Sequence, residues 1–369
     1  MQPLRHATER LWSRYLAVPF KRLLERTVQR RHAERLYLVF GGHIFFETLR
    51  TGVQLDLFSL LAREGPLTRK EIGERLGLED QPLRILLLGL VACGLLRKRG
   101  ARYACTWVSR QLLDRHSPRK ITAYVELQHR VMYKGMYWML EAVREFRNAG
   151  LKEFAGDEPT LYQRLAHDPE LEAIFQEAMQ ELSVQANEDM ARFIDLSRVR
   201  HLVDVGGGDG TNAIALARRW PHLRATVFDS PTVCEIAREH IARHGLSDRV
   251  QAVPGDCFED PFPEGADCLM FCHFFTIWSP EKDRALLEKC HAALPPGGQV
   301  VLFNMMQDDD ETGPLSAAVG SPYFLTIATG EGMLYTWREY ESWMKAAGFS
   351  QVARYRLPRD HGLIIGTRP

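Results

Sequence analysis

The sequence predicts an α/β protein in which a doubly wound, mostly parallel sheet follows a small helical domain. From residue 200 onward short apolar strands alternate with amphipathic helices. The first of these strands runs into a glycine-rich turn just before a helix. Residues 40–115 show three short helical patterns and then the hairpin-like RKRGARYACT, which together are typical of a winged helix.

Length and composition are those of an ordinary globular protein with two or three domains. The 369 residues are 45% hydrophobic and 25% charged, which excludes a disordered chain, a collagen and a coiled-coil rod. The net charge of zero is uneven, because residues 1–120 carry 23 Lys and Arg against 11 Asp and Glu. A basic first third is typical of proteins that bind nucleic acid, a membrane surface or an acidic partner.

The seven cysteines predict neither a disulfide framework nor a metal site. Their number is odd, no C-x-x-C pair occurs and no apolar leader precedes them, which indicates a reduced, cytoplasmic protein. Cys268 and Cys272 are four residues apart on one predicted strand, roughly 13 Å, which is too far for one ion. No stretch reaches the ~18 apolar residues of a membrane span, so integral insertion is not expected.

Residues 1–36 are predicted to form a basic amphipathic arm, since nine Lys and Arg alternate with apolar residues. Such an arm packs on a partner subunit, contacts a membrane surface weakly or stays partly disordered. The sequence leaves these three alternatives open.

Residues 37–116 are predicted to form the winged-helix-like domain. A basic module of this kind is compatible with DNA binding. However, the second half of its third helix is rich in leucine, including Leu87, Leu88 and Leu90, and is too apolar to lie in a DNA groove. Burial of this helix is therefore predicted instead.

Residues 117–198 are predicted to be helical, and residues 199–369 to form the Rossmann-like sheet domain. The helical stretch carries methionine and aromatic stripes, notably between Tyr124 and Leu140. Such stripes belong to a core more often than to a pocket. We nevertheless predict that this helical linker supplies the apolar walls of a substrate pocket.

The most informative segment is LVDVGGGDG at residues 202–210, where a buried strand meets four glycines. Glycine permits positive φ and lets the backbone approach a ligand, while the following helix offers free N–H groups. Nicotinamide, flavin and S-adenosylmethionine proteins all use such turns. The spacing G-G-G-x-G differs from the dinucleotide form G-x-G-x-x-G.

Two carboxylates follow at the ends of the next predicted strands. Asp229 ends the second strand, placed to accept hydrogen bonds from ribose hydroxyls, and Asp256 ends the third, at the height of an adenine amino group. Either one alone is also explained as a turn cap. Together with the glycine turn they predict a nucleoside cofactor, because ligands bind outside the carboxyl ends of parallel strands.

With these features, residues 40–367 resemble the class I S-adenosylmethionine-dependent methyltransferases. The resemblance is to the two-domain small-molecule O-methyltransferases of plant caffeate type and their bacterial antibiotic-pathway relatives. The motifs that carry it are LDLFSLL, GLLRKRGARY, DPELEAIFQEAM, LVDVGGGDGTNAIALARRWPHL, VFDSP, DRVQAVPGDCF and LLEKCHAALPPGGQVVLFNM. It implies a winged-helix domain that forms a homodimer rather than binding nucleic acid, and S-adenosylmethionine as the cofactor.

The resemblance also implies which residues hold the cofactor. The glycine turn would contact the methionine end of the cofactor, and Asp229 would bind the ribose. The residues after the third strand would contact the adenine, with Trp278 stacked nearby. Cys272 stands where caffeate-type enzymes carry a lysine. The predicted cofactor-binding residues are Asp204, Gly206, Gly207, Gly208, Gly210, Asp229, Asp256, Cys257, Phe258, Cys272 and Trp278.

The catalytic histidine of that family is absent. It lies in an L-H-D-W motif after the fourth strand, where residues 275–278 read FTIW, so Thr276 occupies the position of the base. Asn304 and Leu334 replace the two glutamates that flank the histidine. A phenol, with pKa ~10, needs a base worth roughly 10²–10⁴-fold, whereas an amine or an electron-rich carbon reacts with less assistance.

Other polar residues supply the catalytic candidates, which are Thr276, Glu331, Tyr335 and His361. His273 is predicted to be a packed core residue, because it faces away from Thr276 on the fourth strand. The acceptor pocket is predicted to use aromatic and methionine side chains, namely Tyr133, Tyr137, Met179, Tyr323 and Met333.

The leading prediction is an enzyme that methylates a small aromatic or conjugated acceptor, most often on oxygen. A carbon or nitrogen methyltransferase of a tetrapyrrole or other secondary metabolite is the alternative, because GEGM and DHGLII also resemble the bacteriochlorophyllide C-20 methyltransferase branch. A non-catalytic winged-helix DNA-binding regulator is a second class, and an NAD(P)-dependent oxidoreductase is a third.

Overall fold

The computed structural model describes residues 33–369, apart from the side chain at position 185, and divides the chain into two compact units. The first unit ends at Thr122 and the second covers residues 123–369. The predicted arm lies outside the described residues, except for residues 33–36, which are helical. The predicted helical linker therefore belongs almost entirely to the same unit as the sheet domain.

The first unit consists of short helices and a small antiparallel sheet. After a helical stretch at residues 33–40, its helices are α1 (Gly42–Gln54), α2 (Leu57–Glu64), α3 (Arg69–Leu76), α4 (Asp80–Ala92) and α5 (Trp107–Leu112). Its strands are β1 (Leu67–Thr68), β2 (Leu96–Arg99) and β3 (Arg102–Cys105), in the order β1-β3-β2. The wing has one strand more than predicted, because β1 pairs with β3 beside the expected hairpin.

Helix α4 buries only one of its apolar faces. Leu83, Leu87 and Leu90 recur every three or four residues and are buried, as the leucine pattern predicts. Leu88 and Ile85 on the other face are 71% and 66% exposed. These two side chains leave apolar surface uncovered in the single chain.

The second unit opens with a helical region. Its helices are α6 (Thr122–Leu127), α7 (Tyr133–Met136), α8 (Met139–Glu145), α9 (Leu161–Arg164) and α10 (Pro169–Phe193). A π-helical turn at Gln128–Met132 joins α6 to α7, and 3-10 turns occur at Ala149–Glu153 and Leu165–His167. The helical pattern after Tyr124 thus breaks at Tyr137 and Trp138, between α7 and α8.

A sheet of seven strands forms the centre of the second unit in the described chain. The strands are β4 (His201–Val205), β5 (Arg224–Asp229), β6 (Val250–Pro254), β7 (Cys268–Cys272), β8 (Gln299–Met305), β9 (Ser350–Arg356) and β10 (His361–Thr367). Their order is β6-β5-β4-β7-β8-β10-β9, with β10 antiparallel to both neighbours and the others parallel. This confirms the predicted doubly wound, mostly parallel sheet.

Helices cover both faces of this sheet, because its strands are apolar on both sides. Beyond α10 they are α11 (Thr211–Arg219), α12 (Pro231–Arg243), α13 (Pro280–Ala293), α14 (Leu315–Tyr323) and α15 (Trp337–Ala346), with a π-helical turn at Phe324–Ala328. One apolar cluster joins the sheet to α10, α11 and α12, and a second joins it to α13 and α15. Within residues 33–369 every helix is too short or too polar to cross a bilayer.

Candidate active site

The predicted cofactor residues lie along one edge of the sheet. The glycine turn follows β4, Asp229 ends β5, Asp256 follows β6 and Cys272 ends β7. Because β4 to β7 run parallel, their carboxyl ends meet at the same edge. The fold therefore brings these residues to the place where open α/β sheets bind ligands.

The glycine turn is fixed against the end of β5. The backbone N–H of Gly206 donates to Phe228 O at 2.9 Å, and that of Gly208 donates to Asp229 Oδ2 at 3.0 Å. Gly206 has a φ of 67° and Gly208 one of 59°, in the left-handed region that glycine adopts without steric cost. The turn thus presents bare backbone directly beside the Asp229 carboxylate.

Asp204 is a buried acid beneath the glycine turn. Neither oxygen accepts a hydrogen bond of normal geometry, and a Cβ on Gly207 would lie 2.8 Å from Asp204 Cγ. Burial, reinforced by Asp229 and Asp209, raises the pKa of Asp204 to about 8. Buried acids without a hydrogen-bond partner are rare, and a cationic ligand on the turn above Asp204 would favour the charged form of this carboxyl group.

We expect Asp204→Asn to stabilise the ligand-free protein more at pH 8 than at pH 5. The pKa of Asp204 is about 8 when folded and ~3.9 in an unfolded chain, so the unfolded state binds fewer protons between these values. Wild-type stability therefore falls as the pH rises through this window, and the asparagine variant lacks that loss. Thermal unfolding at both pH values measures this effect, with the exposed Asp248→Asn as the control. If the Tm difference between Asp204→Asn and the wild type is the same at pH 5 and pH 8, the prediction is wrong.

Asp229 is a partly buried carboxylate with capacity left for a ligand. Its Oδ1 accepts the backbone N–H of Ser230 at 2.7 Å, and its Oδ2 accepts that of Gly208. Burial raises the pKa of this carboxyl group. Each oxygen keeps a further lone pair, so the group can accept two hydroxyl hydrogen bonds, as a ribose requires.

An aromatic slot lies beyond β6 and β7 and consists of Phe258, Phe274 and Trp278. The Phe258 and Trp278 rings meet edge to face at 5.0 Å, and Phe274 lies 6.1 Å from Trp278. The Trp278 Nε1 atom is buried without a partner. The Phe258 N–H donates to Asp256 Oδ1 at 2.8 Å, which fixes the loop after β6. Flat apolar walls with a free polar group fit a purine ring.

The two cysteines predicted at the cofactor site are packed rather than reactive. Burial raises the pKa of the Cys257 thiol to about 12, and the backbone oxygen of this residue accepts Lys289 Nζ at 2.7 Å. Cys272 Sγ lies 3.8 Å from Met190 Sδ on α10, and burial raises the pKa of its thiol well above the usual range. A protonated thiol is a poor nucleophile, so neither residue is prepared to attack a substrate.

Three of the catalytic candidates are held by neighbouring residues. Thr276 is 2% exposed and its hydroxyl donates to the His273 backbone oxygen at 3.4 Å. Glu331 is paired with Lys282 at 2.6 Å. Tyr335 is 2% exposed and its hydroxyl donates to Trp278 O at 2.6 Å. The Tyr335 ring thus belongs to the core beneath the aromatic slot, and a chemical role for its hydroxyl stays a prediction.

The fourth candidate, His361, lies at the same sheet edge and has an unexpected neighbour. Strand β7 ends at Cys272, and His273 then adopts a φ of 54°, which ends the strand geometry. Its ring lies 5.2 Å from that of His361, and both contact the Phe303 ring at 5.0 and 5.3 Å. Sequence reasoning missed this pair, because strand alternation cannot anticipate a left-handed residue.

The residues predicted for the acceptor pocket divide into two groups. Met179 and Tyr323 pack against the helical cluster of the second unit. Tyr133 and Met333 are each 37% exposed, and Tyr137 is 79% exposed with its ring edge against Trp138. Tyr137 stays a predicted pocket residue, and most of its ring is exposed in the single chain.

Two buried amides at this edge were missed or undervalued by the sequence analysis. Asn187 lies on α10 one turn before Met190, and Asn304 lies near the end of β8. Both are buried, and no atom of either amide has a hydrogen-bond partner. Unpaired buried amides fit a site that a ligand completes. The only sequence signal for Asn187 was an isolated polar residue in an apolar helical stripe.

Comparison with protein families agrees with this geometry. The model of the O-methyltransferase domain matches residues 137–350, and that of the O-methyltransferase dimerisation domain matches residues 37–115. The chain belongs to the O-methyltransferase family. The predicted resemblance, the methyltransferase activity and the two-part fold are thereby confirmed, and the alternatives of a DNA-binding regulator and an oxidoreductase are set aside.

Relatives of this methyltransferase act on different atoms. It is 38% identical to the L-tyrosine C(3)-methyltransferase of Streptomyces lavendulae over 90% of its own chain and 92% of that protein. It is 34% identical to the 3-hydroxy-5-methyl-1-naphthoate 3-O-methyltransferase of Streptomyces sahachiroi over 87% of its own chain and 91% of that protein. The apo crystal structure of the S-adenosylmethionine-dependent methyltransferase SibL superposes with a TM-score of 0.82 at 40% identity. The match covers 91% of this chain and 99% of SibL.

This methyltransferase uses S-adenosylmethionine, as the sequence predicts, and its residues fit that cofactor. The unpartnered acid of Asp204 suits its cationic methionine end, Asp229 its ribose and the aromatic slot its adenine. When bound, S-adenosylmethionine supplies a methyl group on a positively charged sulfur, which is already a strong electrophile.

Proposed function

We propose that this methyltransferase acts on a small phenol and places the methyl group on the ring carbon next to the hydroxyl. The observation that carries the proposal is that the family's base position is closed. Thr276 is 2% exposed and bonded to backbone, and Leu334 and Asn304, which stand at the glutamate positions, are buried as well. The chain thus lacks the machinery that the family resemblance assigns to phenol O-methylation.

The sheet order supports a site for the acceptor on the side of β7, β8 and β10. Asp229 and Asp256 lie at the ends of β5 and β6, on the other side of β4. A nucleoside over β5 and β6 directs the methionine end of the cofactor across the glycine turn toward β7. Cys272, Asn304 and His361 lie at that part of the edge, so a phenol beside them faces the reactive methyl group.

Similarity to the tyrosine C(3)-methyltransferase supports carbon as the methylated atom. Oxygen is the second candidate, because the naphthoate 3-O-methyltransferase is also similar over most of this chain. An aromatic amino acid of the size of tyrosine is the acceptor that we propose to test first.

Incubation of the purified protein with S-adenosylmethionine labelled in its methyl group tests this proposal. L-tyrosine and then hydroxynaphthoic acids are supplied as acceptors, and products are analysed by mass spectrometry and NMR. A labelled methyl group on a ring carbon supports the proposal, and an O-methyl product supports the second candidate. Absence of any labelled product from all phenols overturns both.

We expect Thr276→Ala to keep most of the activity. The Thr276 hydroxyl is buried and bonds only the His273 backbone oxygen, a hydrogen bond worth ~1 kcal/mol. The turnover number for labelled methyl transfer should fall less than about tenfold, whereas loss of a base costs roughly 10²–10⁴-fold. A thousandfold loss would show that Thr276 takes part in the chemistry.

We also propose a cytoplasmic homodimer in which residues 37–116 form the contact. Residues 37–115 match the dimerisation model, and Ile85, Leu88 and Trp107 expose apolar surface in the single chain. All seven cysteines are free, as expected in a reducing compartment. Light scattering after size-exclusion chromatography tests the dimer, and Leu88→Lys should shift it toward the monomer.

A further inference from the structure

We propose that His361 is the general base of this enzyme and that its Nε2 atom takes the hydroxyl proton of the acceptor. The inference rests on the proposed function, because only an acceptor with a hydroxyl group needs this step. It assigns the role of the missing family histidine to a residue at a different place in the fold.

The position of His361 is the acceptor side of the sheet edge. It opens β10 and pairs in register with Met305, the last residue of β8. Strand β8 lies next to β7, and β7 next to β4, which leads into the glycine turn. The imidazole is therefore at the edge that holds the cofactor, on the side away from Asp229.

The hydrogen bond of the ring fixes its tautomer. The His361 Nδ1 atom lies 2.8 Å from the Arg359 backbone oxygen. A carbonyl oxygen only accepts, so Nδ1 carries the hydrogen and donates it. In the neutral ring Nε2 then holds a lone pair, which is what a base requires. No hydrogen bond within the described chain occupies Nε2 of this residue.

Packing holds the ring in place. The imidazole stacks on the Phe303 ring at 5.3 Å with an interplanar angle of 25°, and the His273 ring meets it at 5.2 Å and 90°. Burial lowers the pKa of His273 to about 3, so this neighbour stays neutral and adds no competing charge. A base held in one orientation loses little entropy when the acceptor binds.

The charged groups around His361 suit a base that is neutral at rest. Burial is the main cause that lowers its pKa; the hydrogen bond to the Arg359 backbone oxygen raises it, and the Arg359 charge lowers it. Asp360 beside it and Asp189 on α10 act in the opposite direction. Asp189 is mostly buried and paired with Arg359 at 2.6 Å, so a carboxylate stands near the imidazolium that forms during the reaction.

In methylation at carbon, His361 holds the hydroxyl proton of the acceptor while the new bond forms. The hydroxyl proton moves to Nε2, the oxygen electrons shift into the ring, and a carbon–methyl bond forms as the sulfur–methyl bond breaks. The ring carbon then loses its own proton to water, and the imidazolium returns its proton to the oxygen. One proton is released overall, and the positive charge of the sulfur is neutralised.

Kinetics of His361→Gln provide the first test, with His291→Gln as the matched control. His291 also packs edge to face on a phenylalanine, Phe349, at 5.2 Å, but lies on α13. We expect a 10²–10⁴-fold lower turnover number for His361→Gln, with unchanged calorimetric affinity for S-adenosylmethionine, and no change for the control. Wild-type turnover should fall only when the pH drops well below ~6.5, because burial lowers the pKa of His361 from that ordinary value, and the variant should lose this dependence.

Nitrogen-15 NMR of labelled histidines in the wild-type protein, bound to S-adenosylhomocysteine, provides a second test that needs no turnover. His361 is assigned by difference with His361→Gln, and we expect hydrogen on Nδ1 and none on Nε2. Hydrogen on Nε2, or full activity of His361→Gln, overturns the inference. If no phenol is methylated, the proposed function fails, and the tautomer still decides whether His361 is available as a base.

Discussion

Replacement of Asp229 by alanine is expected to abolish measurable binding of S-adenosylmethionine. The variant loses two acceptor oxygens for the ribose, and each hydrogen bond to a charged group is worth roughly 1.5–3 kcal/mol. In the wild type the Gly208 N–H donates to Asp229 Oδ2 at 3.0 Å, and the variant removes this acceptor. Together these losses predict an affinity at least about a hundredfold lower in isothermal calorimetry.

The exposed Asp248→Ala provides the control for the Asp229 variant. Asp248 carries the same charge, but its side chain is 73% exposed and lies 3.9 Å from Arg249. We expect this control to bind like the wild type, and a thermal melt checks that both variants fold. Normal affinity in a folded Asp229→Ala protein means that the ribose lies elsewhere and removes the cofactor assignment.

Replacement of Gly206 by alanine is expected to weaken cofactor binding at least tenfold and to lower stability by about 1–3 kcal/mol. The residue has a φ of 67°, and a Cβ there would lie 2.5 Å from Phe274 Cδ2. Phe274 must move, and its ring is one wall of the aromatic slot beside Trp278. The substitution therefore disturbs both the glycine turn and the aromatic slot.

Gly297→Ala separates the conformational cost from the steric one. Gly297 has a φ of 80°, but an added Cβ meets nothing within 4 Å. We expect it to lose about 1–2 kcal/mol of stability and to bind the cofactor normally. Denaturant unfolding and calorimetry on both variants make the comparison; equal affinities would show that Phe274 does not contact the cofactor.

The cofactor half of the site could be predicted from the sequence because it depends on local order. A strand, a glycine turn and a helix follow one another directly, and the next strands each end in a carboxylate, Asp229 and Asp256. Parallel strands bring such ends to one edge whatever the surrounding helices do. The cofactor, the doubly wound sheet and the family followed from this pattern.

The acceptor half could not be predicted in the same way. Tyr335 was a catalytic candidate, but the chain around it packs its ring into the core. Tyr137 was assigned to the pocket from an aromatic stripe, but α7 and α8 break the helix there and leave its ring exposed. A stripe defines a face of a helix, and only packing decides what that face meets.

By itself, the sequence determined the order of strands and helices, the glycine turn and the loss of the family's histidine at position 276. Only the tertiary structure decided that His273 and His361 meet, although 87 residues separate them in the chain. Two facts produce that contact: β10 returns antiparallel beside β8, and His273 leaves the strand geometry at a positive φ. Neither follows from local sequence, because strand pairing and a left-handed residue are fixed by the whole core around them.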